Sequence, residues 1–247
     1  SGSLSNPVEA LFAACLHAAL ARETRAAGGA APKLSCAIVT PYREQRACVL
    51  KAFASLFGGD GAAGRAGVRV STVDGFQGQE ADVVIFSTVR GPRGAVTRGP
   101  RGALTRESRG GGIGFLADVR RMNVALTRAR RALWIVGNRD VLRNGGEVWS
   151  RLVADAERRG CVARDADSAS LFGDVIPVEA QARALRALGG DARALRGGGA
   201  AMAPAGDRTR DAFAGGWGAA AADANGGGGG SRARARVHDM YGDLDDA

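Results

Sequence analysis

Lysine, histidine and the usual phosphate- and metal-holding patterns are what this 247-residue sequence has least of. Lys33 and Lys51 are the only lysines, and neither follows a glycine. The G-x-x-x-x-G-K-[ST] loop that cradles nucleotide phosphates is therefore not in the chain. No DEAA-like acidic motif of the kind that holds magnesium is visible either. Cys15, Cys36, Cys48 and Cys161 form no C-x-x-C pair and have no histidine cluster beside them. This spacing argues against zinc and against a disulfide framework, and it fits a reducing compartment inside the cell, nucleus or cytoplasm. The most apolar stretch, VEALFAACLHAALA, is too short to span a bilayer and carries Glu9 and His17, so no membrane partner is expected. No basic segment precedes it, so it does not read as a signal peptide. The chain begins at Ser1 rather than methionine, and it reads as a piece of something longer.

What the sequence has in quantity is arginine, and the formal charge is +9. A basic balance favours polyanionic partners such as nucleic acid. A composition rich in Ala, Gly and Arg throughout gives the same bias without any partner, so charge alone leaves both readings open. Most aliphatic and aromatic residues lie before Gly160, which places the core there.

Val8, Leu11, Phe12, Cys15, Leu16 and Ala19 recur at helical spacing, predicting a helix over 7–22 with Pro7 in its first turn. LSCAIVT (34–40) is a β-branched run ending at Pro41 and reads as a strand. REQRACVLKAFASLF (43–57) is a helix stopped by Gly58-Gly59. VRVSTV (68–73) and ADVVIFSTV (81–89) are strands, and ALWIVG (132–137) is another. Their continuous apolar centres imply burial on both faces, the mark of a parallel sheet covered by helices. EVWSRLVADAERRG closes the pattern as a helix ending at Gly160. The expectation is one open α/β domain over 1–160, with helices on both sheet faces.

Two segments fall outside it. RGPRGAVT (90–97) is followed at once by RGPRGALT (98–105), a tandem repeat too small for a solenoid unit, so 90–112 reads as a low-complexity, disordered insertion. Residues 161–247 are Ala/Gly/Arg-rich with an acidic end and lack the apolar content to offset ordering entropy, although 178–188 could form a short helix.

Three polar segments should gather at the carboxyl ends of the strands, where open sheets bind ligands: TPYREQ, DGFQGQE and the arginine-rich DVRRMNVALTRARRALWIVGN (118–138). In the last, Asp118 is an N-cap, and Val119, Met122, Leu126 and Ala129 form an apolar stripe. Arg121 and Arg128 then lie together on the opposite side, and the helix should end near Ala129–Arg131. Five solvated arginines are the plain alternative. In DGFQGQE, Gly75 and Gly78 allow close backbone approach to a ligand, and the Glu80 carboxylate suits a ribose hydroxyl. A glycine-rich polar loop is the alternative there.

Together, TPYREQ, STVDGFQGQEADVVIFSTVR and GFLADVRRMNVALTRARRALWIVGN resemble motifs IV, V and VI of superfamily 1B helicases, nearest the senataxin and nonsense-mediated-decay group. SNPVEA (5–10) resembles the segment that opens that group's second RecA-like domain. The likeness runs over roughly 5–160 and leaves out the insertion and the tail. It implies a RecA-like, P-loop NTPase type fold working with ATP, Mg²⁺, single-stranded nucleic acid (RNA favoured over DNA) and a first RecA-like domain in cis that would hold the magnesium. By position, Arg128 matches the arginine finger that reaches the γ-phosphate. Glu80 matches the carboxylate near the ribose, with Gln77 and Gly78 by the phosphate path and Arg121 grouped with the nucleotide. Thr40, Pro41, Tyr42, Thr72, Val73 and Asn123 match nucleic-acid contacts, and Gln45 falls in motif IV. Arg120, Arg130 and Arg131 remain surface charge or scaffold. The resemblance implies an ATP-dependent helicase whose C-terminal motor domain this is, inactive alone. A non-catalytic nucleic-acid-binding protein using the domain as a scaffold is the alternative, with the Arg/Gly repeat as its salt-sensitive grip.

Overall fold

Four parallel strands carry the fold, and the sequence shows why. Ile38, Val39, Val84, Ile85 and Phe86 are all fully buried, so both sheet faces are covered. The computed structural model describes residues 3–26, 34–90, 96–98, 104–106, 114–162 and 171–191. In chain order these comprise β1 (Leu4–Ser5), α1 (Pro7–Ala26), β2 (Cys36–Thr40), α2 (Arg43–Phe57), α3 (Ala62–Arg65), β3 (Val68–Thr72) and β4 (Ala81–Ser87). Then come β5 (Val96–Arg98), β6 (Leu104–Arg106), α4 (Val119–Leu126), β7 (Ala129–Val136), α5 (Arg139–Arg143), α6 (Glu147–Arg158) and α7 (Val178–Ala187). The main sheet has the order β3-β2-β4-β7, all parallel. Thr40 is in register with Thr72, and Ser87 with Val136.

The two faces separate by the strands' two-residue period. On one, Val84 and Phe86 pack with Met122, Ala125 and Leu126 of α4, Trp149 and Val153 of α6, and Phe76 of a short 3-10 turn (Asp74–Phe76). On the other, Ser87 receives Gln45 of α2 and donates to Glu9 of α1. This is the open parallel sheet expected of a RecA-like domain, with helices on both faces.

Local chemistry sets the helix ends. Asn6 Oδ1 accepts from the N–H groups of Val8 and Glu9 (both 3.2 Å), and Pro7 begins α1 where no N–H bond is lost. Gly58, at φ +82°, closes α2 by donating to Ala54 O at 3.0 Å. Asp118 caps α4 as expected, accepting from Arg121 N–H at 3.2 Å.

Several expectations are corrected. α4 stops at Leu126, with Thr127 as its last N–H donor (to Asn123 O, 3.1 Å), because the ladder with β4 already takes up Ala129. The core stripe is Met122–Ala125–Leu126, while Val119 is 48% exposed. Two stretches of the expected disordered insertion are strands: β5 and β6 occupy equivalent places in the two repeat copies and pair antiparallel, Thr97 opposite Thr105. β5 also pairs with β1. Arg90, placed at the insertion's start, is 9% exposed and belongs to the end of the β4 segment. The rest of the insertion lies outside the described residues, as do 163–170 and 192–247 of the expected tail. Within that tail, however, α7 packs on α1 and α2, Leu185 is fully buried, and Phe172 meets Phe12 edge-on at 5.2 Å. Packed structure therefore continues past residue 160.

Candidate functional site

The expected site residues separate to opposite ends of the sheet. The seven-residue strand β4 runs from one group to the other.

Glu80 and Arg128 lie at the amino end, each immediately before a strand. The backbone N–H of Ala81 donates to Arg128 O at 3.1 Å, so these neighbouring positions are tied rung to rung. The Arg128 guanidinium is half-buried. Its Nε donates to Val124 O at 3.0 Å and its Nη2 to Thr127 Oγ1 at 3.1 Å. A carbonyl of the helix's last turn lacks an intrahelical donor and suits a cation. These two bonds leave further N–H groups of the guanidinium fork for a ligand. Glu80, Gln77 and Gly78 are exposed, and Gly78 turns the chain at φ +75°. Gln79 braces the turn, accepting from Arg69 at 2.5 Å and donating to Gly75 O at 3.2 Å.

Thr40, Pro41, Tyr42, Thr72 and Val73 lie at the carboxyl end. Thr40, Pro41 and Val73 are buried, and Thr40 Oγ1 has no hydrogen-bond partner among the described residues. Val73 N–H donates to Thr40 O at 3.0 Å, and Gly75 N–H to Thr72 Oγ1 at 3.2 Å, which shapes the turn. Tyr42 is half-buried, and its hydroxyl accepts from Arg90 Nη2 (3.2 Å) and Nε (3.3 Å).

Arg121 belongs to this end as well. Its Nε lies 3.7 Å from Asp74 and 3.5 Å from Asp118, and its guanidinium sits 4.6 Å over the Phe115 ring. Arg121 pairs with Asp74, just past the carboxyl end of β3, whereas Arg128 lies beyond the end of α4 and bonds Ala81 at the start of β4, so the two do not lie together. Asn123, exposed on α4, falls between them. Residues 73–80 and α4 both run back across one face of the sheet, from the carboxyl end to the amino end. The three polar segments meet at the carboxyl end only through Tyr42, Asp74 and Arg121, with Phe115 between the first and last; Glu80 and Arg128, at the far ends of two of them, lie at the amino end.

Arg130 and Arg131 pair with Asp82 at 3.3 and 3.6 Å. Burial pushes the Asp82 carboxyl up, but the Ser35 hydroxyl and N–H, with Arg130, outweigh it and hold Asp82 below the usual carboxylate range. Both arginines act as scaffold, and Arg120 is exposed.

Other residues that order the carboxyl end are not evident from the motifs. Glu9 is buried in α1; its Oε2 accepts from Ser87 Oγ and Val89 N–H, both at 2.8 Å. Burial pushes its carboxyl up to about 7 despite these donors. Val89 holds φ +71°, a rare conformation for a β-branched residue, and Asn6 Nδ2 donates to its carbonyl at 3.3 Å. Gln45 is fully buried, accepting from Asn6 N–H at 2.7 Å. The Trp149 indole donates to Leu116 O at 2.9 Å and fixes the 3-10 turn Gly114–Ala117 that leads into α4. An acidic residue inside the apolar face of 7–22 was the one available hint.

Among the described residues, no three His, Cys, Asp or Glu side chains gather to hold a metal. Nor is any described helix long and apolar enough to cross a membrane.

The family model of the AAA domain (AAA_12) matches residues 1–140. Helicase SEN1 of Saccharomyces cerevisiae is 37% identical over 126 residues, which is 51% of this chain and 5% of that protein. Helicase sen1 of Schizosaccharomyces pombe is 39% identical over 125 residues, 51% of this chain and 6% of its own length. Senataxin of Homo sapiens is 34% identical over 131 residues, covering 53% and 4%. The match thus spans only 4% to 6% of the length of these relatives.

Proposed function

We propose, from the premise that the chain belongs to the AAA_12 family and is a superfamily 1 helicase domain of the SEN1 and senataxin kind, that it works as the C-terminal motor domain of an ATP-dependent RNA or DNA helicase. The backbone bond from Ala81 to Arg128 is the observation that carries this reading, because it sets Glu80 and Arg128 side by side at one end of the sheet.

In this reading ATP binds at the amino end, between this chain and a first RecA-like domain, and that domain holds Mg²⁺. Held there, Mg²⁺ would supply positive charge to the phosphates. Arg128 brings a guanidinium fork to the γ-phosphate, where positioned positive charge helps phosphoryl transfer most. Glu80 accepts from the ribose, and Gln77 and Gly78 line the phosphate path. Single-stranded nucleic acid, RNA in preference to DNA, runs over the carboxyl end in a nuclear or cytoplasmic protein. Thr40, Pro41 and Val73 are buried, so their part in that track is through the main chain, while Tyr42, Thr72 and Asn123 have side chains to offer. The two connectors, 73–80 and α4, are rigid elements joining the ends, which suits coupling between the two ligands.

Substituting Arg128→Ala in a protein that joins this chain to a first RecA-like domain tests the assignment. ATP turnover should be lost and nucleic-acid binding kept. Wild-type turnover in that variant would remove Arg128 from the role.

A further inference from the structure

Four side chains from four segments form one file across the carboxyl end of the sheet. The Arg90 guanidinium lies 5.8 Å over the Tyr42 ring. Tyr42 stands 6.1 Å from the Phe115 ring, tilted by 57°. The Arg121 guanidinium covers Phe115 at 4.6 Å. The file is built closely: a Cβ on Gly114, which sits at φ +54°, would collide with the Arg90 guanidinium. Phe115 itself is fixed by its neighbours, since Asp118 N–H donates to its carbonyl at 3.2 Å and Trp149 anchors Leu116.

Phe115 is only partly buried, whereas Leu116 beside it is 2% exposed. The ring's outer neighbour is thus not core but a charged side chain that is itself 49% exposed. Asp74 and Asp118 hold that arginine in place, and exposed ion pairs of this kind are weak and screened by salt. A planar cation resting on a ring occupies the place a planar base can take. Once displaced, the arginine carries a planar guanidinium fork that suits a backbone phosphate.

We propose that Phe115, with Tyr42 beside it, is a base-stacking step for single-stranded nucleic acid, and that Arg121 leaves Asp74 to pair with the strand's phosphate. The step rests on the reading of the carboxyl end as the nucleic-acid track. It adds a residue, Phe115, that carries base contact rather than backbone contact, and it moves Arg121 from the nucleotide to the strand. Stacking on an aromatic ring tolerates any base, so the step contributes affinity with little sequence preference.

The test uses the 247-residue chain and two fluorescein-labelled probes, an oligouridine and the same strand carrying abasic sites, followed by anisotropy at low salt. Phe115→Ala should weaken the oligouridine roughly tenfold, leave the abasic strand unchanged and keep the salt dependence. Phe115→Trp should restore binding. Arg121→Ala should instead weaken both strands and flatten the salt dependence by about one phosphate contact. Phe115→Leu keeps an apolar side chain on the core, so it decides the matter if Phe115→Ala does not fold. Equal loss on both probes, or no loss on either, overturns the stacking step and leaves the track standing. If the wild-type chain binds neither probe, the track reading itself fails.

Discussion

The Glu9 carboxylate accepts the Val89 backbone N–H at 2.8 Å, although eighty positions of sequence separate them. This bond holds a β-branched residue at φ +71° where β4 ends and Arg90 turns toward Tyr42. Glu9→Ala leaves the Val89 N–H and the Ser87 hydroxyl buried without their acceptor. It should cost about 2–4 kcal/mol, read from urea denaturation. A loss within the range of a surface substitution would show that Val89 does not depend on Glu9.

The same carboxyl sets a pH dependence whose sign can be worked out. Burial raises Glu9 from 4.5 to about 7, so the folded state holds this proton more tightly than the unfolded one. Its contribution is fully present below pH 4.5 and is lost as pH rises through about 7. Burial, with Arg25, lowers His17 from 6.5 to about 4, so its contribution is present above 6.5 and lost as pH falls through about 4. Between 4.5 and 6.5 the two oppose each other. Glu9→Gln removes one of them, so relative to wild type its stability should rise with pH across the window, by on the order of 3 kcal/mol in total. A difference that stays constant across that window would contradict the burial argument.

Trp149→Phe keeps the aromatic packing of α6 but removes the donor to Leu116 O. The buried carbonyl left without it should cost about 1–3 kcal/mol. The Asp118 amide should also exchange faster, since the 3-10 turn before it loses its anchor. Unchanged exchange there would make Trp149 a packing residue only.

Gly137 lies against Thr88, whose N–H and hydroxyl both donate to Val136 O, at 3.0 and 3.2 Å. A Cβ on Gly137 would collide with the Thr88 hydroxyl. Gly137→Ala should therefore destabilise by about 1–3 kcal/mol. Combined with Thr88→Ala, the loss should be less than the sum of the two single changes. Strict additivity would place the cost elsewhere.

Arg128→Lys separates charge from geometry at the amino end. The guanidinium bonds Val124 O and Thr127 Oγ1 together, and a lysine ammonium cannot reproduce that fork. If Arg128 is the finger, turnover in the joined two-domain protein should fall most of the way toward the loss of ~10³–10⁵ typical when a finger is removed. Near-normal turnover with lysine would mean that a point charge suffices.

Much of the fold was legible in the residues. The runs at 36–40 and 81–87 announce buried strands by their continuous apolar centres, α2 is bounded by Gly58, and Asp118 caps α4. These features arise from neighbours in sequence: side-chain period, backbone freedom and caps. The periodicity of α4 nonetheless carried the helix too far. Ala129, in phase with Met122 and Leu126, was drawn into β7 by pairing with Ala81, an interaction no helical wheel contains. The short helix at 178–188 was legible, but its packing on the core was not, because Ala184 and Leu185 barely stand out in an Ala/Arg-rich stretch until α1 and α2 cover them.

By itself, then, the sequence determined the strands of the main sheet, most of the helices beside them, and the motifs that mark the candidate residues. Tertiary structure alone decided where those residues meet. It sent Glu80 and Arg128 to one end of the sheet and Arg121, with Phe115 and Tyr42, to the other. The physical reason is that two connectors cross the sheet against the strand direction, so residues a few positions apart in one motif end on opposite edges.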